Sequence, residues 1–356
     1  MAIGIANALH SAGVRTTLVV NVACDTFGTK TEVISLFSVS KYSPANGIRL
    51  LSHFWSHRYD VVHLVSPNLF IMLLMPWVAK LRGFSLCFVN HSIGSNWSRP
   101  VYNRLRRWLW HRFDGMVLHS KSDVDLLRAV DPDASNYRVI PCGSYGYILQ
   151  SQARADLSYL SPEQRAALEA PGFKPLFLGY IRPNKRLDLL LEAVEPLPMT
   201  LIVAGENHSP LSLASGLHVR DRARAVVVNR LLPEPDISSF LERSSVVVLP
   251  YDDISESGIL HLATAAGKPV IASDIPAFRE RKVDQFGLLF QKGNAASLRD
   301  ALVRMQRDLP HYEDLARKHA ARIVVSDTWL TFGIQLRDYL RELVTGHPRY
   351  RRQNQR

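Results

Sequence analysis

The residues that most clearly predict chemistry in this chain are Ser257 and Gly258, at the start of a short apolar helix. A β-branched run at residues 245–249 precedes them and is typical of a buried parallel strand. Gly267 ends the predicted helix, and Val270 begins the next strand. The first turn of such a helix presents unpaired backbone N–H groups and the positive end of the helix dipole, which suits a phosphate group. The alternative is an ordinary strand-to-helix turn.

A second candidate group is a cationic turn after a predicted strand at residues 176–180. Arg182, Lys185 and Arg186 follow that strand, just before an amphipathic helix at residues 187–194. Open α/β sheets bind ligands at the carboxyl ends of their strands. Arg182 can bind two phosphate oxygens at once, and Lys185 supplies a point charge. The two segments together predict a diphosphate held between two loops, unless the cations form only a solvated basic turn.

Both segments resemble parts of the retaining, nucleotide-sugar-dependent glycosyltransferases of family 4. Residues 179–185, GYIRPNK, are similar to the family's Gly-x-Ile-Arg-Pro-x-Lys-Gly loop. Residues 257–273, SGILHLATAAGKPVIAS, resemble its donor-binding helix and the strand that follows. Further similarities lie at residues 114–120, 139–143, 202–206 and 276–280. The resemblance runs, with gaps, from the first residues to about residue 340.

The resemblance implies an α/β fold of two doubly wound, Rossmann-like domains facing a cleft, the arrangement named GT-B. It implies a catalytic role for Arg182 and Lys185 at the leaving diphosphate. It also implies a contact between His91, just after a predicted strand, and the transferred sugar; the alternative is a structural histidine. The implied donor-binding residues are Gly179, Glu256, Ser257, Gly258, Ile259 and Glu280.

One departure from the family concerns its carboxylates. Many members carry two Glu residues across the donor loop, and the later one holds the nucleotide ribose. Here Glu256 precedes Ser257, but alignment back from Gly267 places Leu262 at the second position. We expect a backbone group or Glu280 to hold the ribose instead. We also expect no metal ion and no other cofactor, because no metal-ligand cluster is visible and the cationic loop can neutralise the diphosphate.

Length and composition agree with a two-domain globular enzyme. The 356 residues are 47% hydrophobic and 21% charged, which suffices for two cores. The three cysteines lack metal-ligand spacing, and no signal peptide is recognisable, which predicts a reducing cytoplasm. The longest apolar run, residues 69–79, is too short to span a bilayer and contains Pro76. We expect a cytoplasmic protein that can reach the inner face of the plasma membrane.

The net charge of +11 is concentrated in the first 150 residues, which hold 15 Lys and Arg against 8 Asp and Glu. The densest patch runs from Arg104 to Phe113 and interleaves arginines with aromatic residues. Aromatic side chains can seat at a membrane interface while cations meet anionic headgroups. The patch therefore predicts a peripheral contact with an anionic membrane. A packing helix with its Trp side chains in the core is the alternative, and no nucleic-acid-binding motif accompanies it.

The pattern of elements predicts the domain organisation. Residues 1–150 form an acceptor-side domain, a Pro-rich stretch at 151–174 is a linker, and 175–325 form the donor-binding domain. Residues 326–345 are expected to form a helix that packs back on the first domain, and 346–356 form a basic tail. Family members open with a strand and a Gly-rich loop before the first helix. This chain begins at that helix, so we expect either that the true start lies upstream or that this version lacks the first strand of the first domain.

The sequence thus predicts a hexosyltransferase that moves a sugar, with retention, from a nucleoside diphosphate sugar to an acceptor. We expect the acceptor to be a lipid-linked saccharide in polysaccharide or glycolipid synthesis, bound by the first domain, with no nucleic acid partner. Two alternatives are a nucleotide-sugar epimerase or phosphorylase of the same fold, and a non-catalytic relative that binds a ligand or partner. The missing strand and the absent second Glu favour the last.

Overall fold

Parallel β-sheet forms the framework of both units of this chain. The computed structural model describes residues 2–21, 29–37, 44–65, 69–89, 100–143, 149, 155–210, 225–254, 256–326 and 329–346. Unit 1 comprises Met1–Gly143 and Asp327–Arg356, and unit 2 comprises Ser144–Ser326. Every described strand pairing is parallel. The predicted α/β class is therefore confirmed.

Unit 1 alternates strands and helices. Its elements are α1 (Ala2–Ser11), β1 (Thr17–Asn21), β2 (Glu32–Phe37), α2 (Pro44–Ser56), β3 (Val61–Val65), α3 (Leu69–Arg82), β4 (Ser85–Val89), α4 (Pro100–Trp110), β5 (Gly115–Leu118), α5 (Lys121–Val130), β6 (Tyr137–Val139) and α13 (Trp329–Gly346).

The described strands of unit 1 form two separate sheets. One sheet pairs β1 with β2, and the other has the order β3-β4-β5-β6. Strands β4 and β5 are buried throughout, as parallel strands covered on both faces should be, whereas β3 at the sheet edge is only half-buried. Among the described strands, none joins β1 to β3. The expectation of a missing first strand stays a prediction.

The last helix, α13, belongs to unit 1 and packs along α1. Phe332 and Leu336 of α13 share a buried cluster with Ile5 and Leu9 of α1. The backbone N–H of Met116, in β5, donates a hydrogen bond to the Tyr339 hydroxyl across 3.2 Å. The helix therefore covers one face of the sheet that contains β4 and β5.

The segment at residues 104–113 places two of its three Trp and Phe side chains in the core of unit 1. Trp110, the last residue of α4, and Phe113, just after the helix, are 3% exposed and pack in that core. Trp108 remains half-exposed, and the Arg112 guanidinium lies 3.5 Å from the centre of its ring. Arg107 pairs with Asp131, which is buried. The interpretation that these aromatics seat at a membrane is thus wrong for Trp110 and Phe113.

Unit 2 is built on one six-stranded sheet. Its elements are α6 (Pro162–Glu169), β7 (Pro175–Leu178), α7 (Leu187–Val194), β8 (Leu201–Ala204), β9 (Ala225–Val228), α8 (Glu234–Arg243), β10 (Val246–Leu249), α9 (Gly258–Ala265), β11 (Val270–Ser273), α10 (Pro276–Glu280), β12 (Gly287–Phe290), α11 (Ala295–Arg307) and α12 (Leu309–Ser326).

The stretch predicted as a linker contains helix α6, which packs on unit 2. Ser161 caps this helix through a capping box with Gln164, and Pro162 occupies its first turn. Proline fits there because the first N–H groups of a helix have no intrahelical partner. Leu160 and Leu168 are buried in the unit's main core. Described residues of the stretch are therefore part of unit 2 rather than a free connection.

The contact between α13 and α1 leaves no room for a side chain at Gly333. A Cβ atom there would lie 2.2 Å from the Ala8 carbonyl oxygen. We expect Gly333→Ala to destabilise unit 1 by about 1–3 kcal/mol in urea unfolding, although Ala is the better helix former. Gly346→Ala is the matched control, because nothing lies within 4 Å of its Cβ position. Equal stability of both variants would contradict this packing.

Candidate functional site

The two candidate loops follow neighbouring strands at the point where the strand order of unit 2 reverses. The order is β12-β11-β10-β7-β8-β9, so the chain runs outward from β7 to β9 and returns to the other side of β7 with β10. Parallel pairing of β7 with β10 brings their carboxyl ends to the same edge. Ligands of open α/β sheets bind at such a reversal. The loops after β7 and β10 thus form the candidate site.

The loop after β7 is a tight turn. Gly179 has φ +91°, a left-handed conformation that favours glycine, and a short 3₁₀ helix at Pro183–Lys185 follows. Arg186, at φ 50°, joins this turn to α7. Its guanidinium pairs with Asp188 at 2.9 Å and with Asp252, from the loop after β10, at 3.2 Å. These ion pairs tie the turn to α7 and to the loop after β10.

Backbone hydrogen bonds join the two loops. The Asp252 N–H donates to the Asn184 carbonyl oxygen across 2.8 Å, and the Asn184 side-chain amide donates to the Asp253 carbonyl oxygen across 3.2 Å. Asp252 and Asp253 therefore bind residues of the loop after β7. The hydrogen bonds hold the cationic turn against the segment that leads to α9.

Lys185 has no counter-ion among the residues that the structure describes. Its half-buried ammonium lies 5.3 Å from the centre of the Tyr251 ring, and no described carboxylate forms an ion pair with it or with Arg182. Burial, reinforced by the neighbouring charge of Arg182, lowers the pKa of Lys185 to about 8. The Arg182 side chain is exposed beside the Tyr180 ring. Two adjacent, unneutralised cations favour binding of an anion.

The first turn of α9 and the Lys185 side chain both lie next to Gly179. The buried Ser257 caps α9, since its hydroxyl oxygen accepts a hydrogen bond from the Leu260 N–H across 3.2 Å. A Cβ atom added to Gly179 would lie 3.0 Å from the Ile259 side chain and 3.6 Å from the Lys185 Nζ atom. The structure thus brings together Gly179, Lys185 and the helix start, as the sequence predicts.

The Glu256 carboxylate binds two other side chains of the protein. One of its carboxylate oxygens lies 2.5 Å from the His261 Nε2 atom, and the other accepts a hydrogen bond from Arg281 across 2.7 Å. Burial alone would raise the pKa of Glu256, but the hydrogen bonds and charges of His261 and Arg281 outweigh burial and lower it to about 2. The carboxylate therefore anchors the start of α9 to the segment after α10.

The remaining predicted site residues have different positions. Glu280 is half-buried at the end of α10, next to Arg281. Leu262 is 4% exposed in the core, so it cannot contact a ribose. His91 lies outside the described residues. Among the described residues, no group of three or more His, Cys, Asp or Glu side chains is placed to hold a metal ion.

His261, Arg281 and Tyr251 also belong to this site but were not predicted from the sequence. His261 points inward from an otherwise apolar helix, and a buried basic residue four positions after the helix cap is a signal for a buried carboxylate partner. Arg281 had no such signal, because only the folding of α10 brings it beside Glu256.

Comparison with known proteins identifies the fold and the family. The model described as "Glycosyl transferase 4-like domain" matches residues 4–143, and the model "Glycosyl transferases group 1" matches residues 172–308. Sucrose-phosphate synthase from Thermosynechococcus elongatus, at 18% identity, aligns over 95% of this chain and 91% of its own with a TM-score of 0.73. The chain belongs to the glycosyltransferases of the GT-B fold.

Two further similar proteins are informative. The Anabaena protein HepE, solved in complex with UDP-glucose, aligns with this glycosyltransferase over 96% of each chain at 16% identity and a TM-score of 0.74. Phosphatidyl-myo-inositol mannosyltransferase from Mycobacterium leprae is 26% identical over 282 residues, which are 75% of this chain and 70% of the relative. The predicted enzyme class and GT-B fold are confirmed. No described helix is long and apolar enough to cross a membrane.

The Glu256 network gives a prediction about stability. We expect Glu256→Gln to lower the free energy of unfolding of unit 2 by about 3 kcal/mol at neutral pH, because it leaves Arg281 and the buried His261 without their carboxylate. Since folding lowers the pKa of Glu256 from 4.5 to about 2, its stabilisation is present above pH 4.5 and is lost as the pH falls toward 2. Chemical unfolding at neutral and acidic pH should show that the difference in the free energy of unfolding between wild type and variant becomes smaller as the pH falls.

Glu206→Gln is the matched control for this experiment. Glu206 pairs with His208 across 3.2 Å, but both side chains are about half-exposed, so we expect a loss below about 1 kcal/mol. A loss as small for Glu256→Gln would show that the buried network contributes little to stability.

Proposed function

We propose that this glycosyltransferase transfers a hexosyl group, with retention, from a nucleoside diphosphate sugar bound by unit 2. The observation that carries the proposal is the unneutralised pair Arg182 and Lys185 beside the start of α9. A diphosphate is the ligand that matches two cations and a helix N-terminus at a strand-order reversal. The complexes of HepE with UDP and UDP-glucose support the same ligand class.

Catalysis in this proposal consists mainly of stabilising the charge that develops on the leaving diphosphate. Arg182 and Lys185 donate to its oxygens, and the N–H groups of the first turn of α9 complete the contact. These fixed cations take the part that a metal ion would otherwise take, so we propose that the reaction needs no metal and no other cofactor. By the family resemblance, His91 contacts the transferred sugar.

The ribose of the donor needs a partner other than Glu256. Both oxygens of that carboxylate are bound, to His261 and to Arg281. We propose Glu280 or a backbone group of the same region for this contact. Because the Glu256 network fixes the start of α9, Glu256 acts by positioning the helix turn, and its side chain is not the ribose ligand.

The proposed acceptor is a lipid-linked saccharide in polysaccharide or glycolipid synthesis, at the cytoplasmic face of the membrane. The name of the mycobacterial relative, a phosphatidyl-myo-inositol mannosyltransferase, supports a lipid acceptor. Charge supports it too, since the first 150 residues hold 15 Lys and Arg against 8 Asp and Glu. Residues 104–113 contribute cations to such a contact, and Trp108 is their exposed aromatic side chain.

The direct test of function is a panel of UDP- and GDP-sugars, with release of the nucleoside diphosphate as the readout. We expect one donor to be hydrolysed slowly, and faster when a polyprenyl-linked saccharide is added. A product with inverted stereochemistry at a sugar carbon, formed from donor alone, would instead identify an epimerase. Absence of any reaction together with tight nucleotide binding would identify a non-catalytic relative.

The cationic turn can be tested by substitution. We expect Arg182→Ala and Lys185→Ala each to weaken UDP binding at least about tenfold, because each removes a charge-assisted contact of about 1.5–3 kcal/mol. Isothermal titration calorimetry measures both constants. Lys292→Ala, an exposed lysine before α11, is the control and should bind UDP as wild type does. Wild-type affinity in both site variants would refute the assignment.

The pKa of Lys185 makes nucleotide affinity dependent on pH. The free protein loses the Lys185 proton as the pH rises through about 8, and a diphosphate binds the protonated form better. We therefore expect the affinity for UDP to fall between about pH 7 and pH 9. Lys185→Arg, whose charge persists at these pH values, should be nearly insensitive to pH. The same pH profile in wild type and variant would exclude Lys185 as the titrating group.

Metal independence gives a separate prediction. We expect UDP binding and donor turnover to persist in excess EDTA, because the cationic turn supplies the positive charge at the diphosphate. Turnover lost in EDTA and restored by Mg²⁺ or Mn²⁺ would contradict this part of the proposal.

A further inference from the structure

Helices α2 and α3 of unit 1 expose a set of large apolar side chains that no described residue covers. On α2, Ile48 is 71% exposed and Trp55 is 66% exposed. On α3, Phe70 is 54%, Trp77 is 59% and Leu81 is 75% exposed. Single exposed apolar residues are common on proteins, but clustered aromatic ones mark an interaction surface. We call this set the α2–α3 face.

The spacing shows that each helix has a second apolar stripe besides the one that packs in the core. In α3, Phe70, Leu73, Trp77 and Leu81 recur at three- and four-residue intervals and are exposed, while Met75 is fully buried. In α2, the exposed residues at positions 48, 51 and 55 follow the same rule. A helix that is apolar on both sides requires a partner on its outer side.

The two stripes form one continuous face. A Cβ atom added to Gly47, in α2, would lie 3.0 Å from the ring of Phe70, in α3. Arg82, at the end of α3, donates hydrogen bonds to the carbonyl oxygens of Phe54 and Trp55, and its guanidinium lies 5.3 Å from the centre of the Trp55 ring. The ends of both stripes are thus tied together, with a cation at their edge.

The charge around this face is predominantly positive, although Asp114 lines a cavity together with Trp77 and Lys80. Residues 33–113 contain ten Lys and Arg and a single acidic residue, Asp60. Arg49 and Lys80 are exposed in the helices themselves, next in sequence to Ile48 and Leu81. Neither α2 nor α3 carries an Asp or Glu. The complementary partner is therefore both apolar and negatively charged.

This combination of apolar and basic side chains fits an anionic bilayer better than it fits a second copy of the chain. In a symmetric dimer the same face would meet itself, which brings the cations of one copy against those of the other. A bilayer surface offers an acyl region for Trp, Phe and Leu side chains and anionic headgroups for Lys and Arg at the rim. Because neither helix can span a membrane, the contact lies in the plane of the interface.

We propose that the α2–α3 face docks this glycosyltransferase on an anionic membrane surface, with Trp55, Phe70, Trp77 and Leu81 in the interface and Arg49 and Lys80 at the headgroups. The docking surface differs from the 104–113 segment, whose Trp110 and Phe113 are buried. It lies in unit 1, whereas the proposed donor site lies in unit 2. The docking proposal rests on the proposed use of a lipid-linked acceptor. Membrane binding can be measured without any sugar transfer.

The test is flotation of the whole chain with vesicles of phosphatidylcholine, with and without about one-third phosphatidylglycerol, at low and high salt. We expect binding to the anionic vesicles that weakens as salt rises, since the headgroup attraction is screened. Trp55→Ser with Trp77→Ser should lower the partition constant at least about tenfold, because two large apolar side chains leave the interface. Arg49→Gln with Lys80→Gln should remove the preference for anionic lipid.

Leu231→Ser with Val303→Ser is the matched control, because these residues are exposed in unit 2 at 64% and 47%. Its vesicle binding should equal that of wild type. Lys185→Ala should also float as wild type does, so failure of the donor site and failure of docking give different results.

Two results would overturn the proposal. One is vesicle binding that survives both the Trp55, Trp77 and the Arg49, Lys80 double variants at wild-type strength. The other is a dimer in light scattering that Trp55→Ser with Trp77→Ser converts to monomer while wild type leaves the vesicles unbound, which would assign the face to self-association. Circular dichroism confirms that each variant is folded, and UDP titration does so for the variants outside the donor site.

Discussion

An ammonium group held partly out of water without a carboxylate partner is the constraint on which the candidate site depends. Desolvation of a charge costs free energy, and burial together with the charge of Arg182 lowers the pKa of Lys185. The fold accepts it because neighbouring strands β7 and β10 bring two hydrogen-bonded loops to one edge of the sheet. A bound diphosphate would return the missing negative charge.

The basic residues around this edge divide into two groups by their partners. Arg186 is neutralised by Asp188 and Asp252, and Arg281 pairs with Glu256, so these cations build the loops. Arg182 and Lys185 have no described carboxylate partner in an ion pair, so their charge remains for a ligand. A similar division appears in unit 1, where Trp110 and Phe113 are buried while Trp55 and Trp77 are exposed.

The sequence predicted local elements well and long-range partners poorly. Helices α7 and α9 were predicted close to their observed residues, and for α9 the cap residue Ser257 and the breaker Gly267 mark the two ends. Helix α6 was mistaken for a linker, since Pro162 was interpreted as a breaker although it occupies the first turn, where proline is accepted.

The partners of Glu256 depend on how α9 and α10 pack, and the exposure of Trp55 and Trp77 depends on which side of each helix faces the sheet. Spacing along the chain fixes neither, because both depend on tertiary packing.

The measurement that tests the central claim most directly is the affinity of the protein for UDP compared with uridine, in the presence of EDTA. If the two cations and the helix start hold the diphosphate, UDP should bind at least about a hundredfold more tightly than uridine. Comparable affinities for the two ligands would contradict the account.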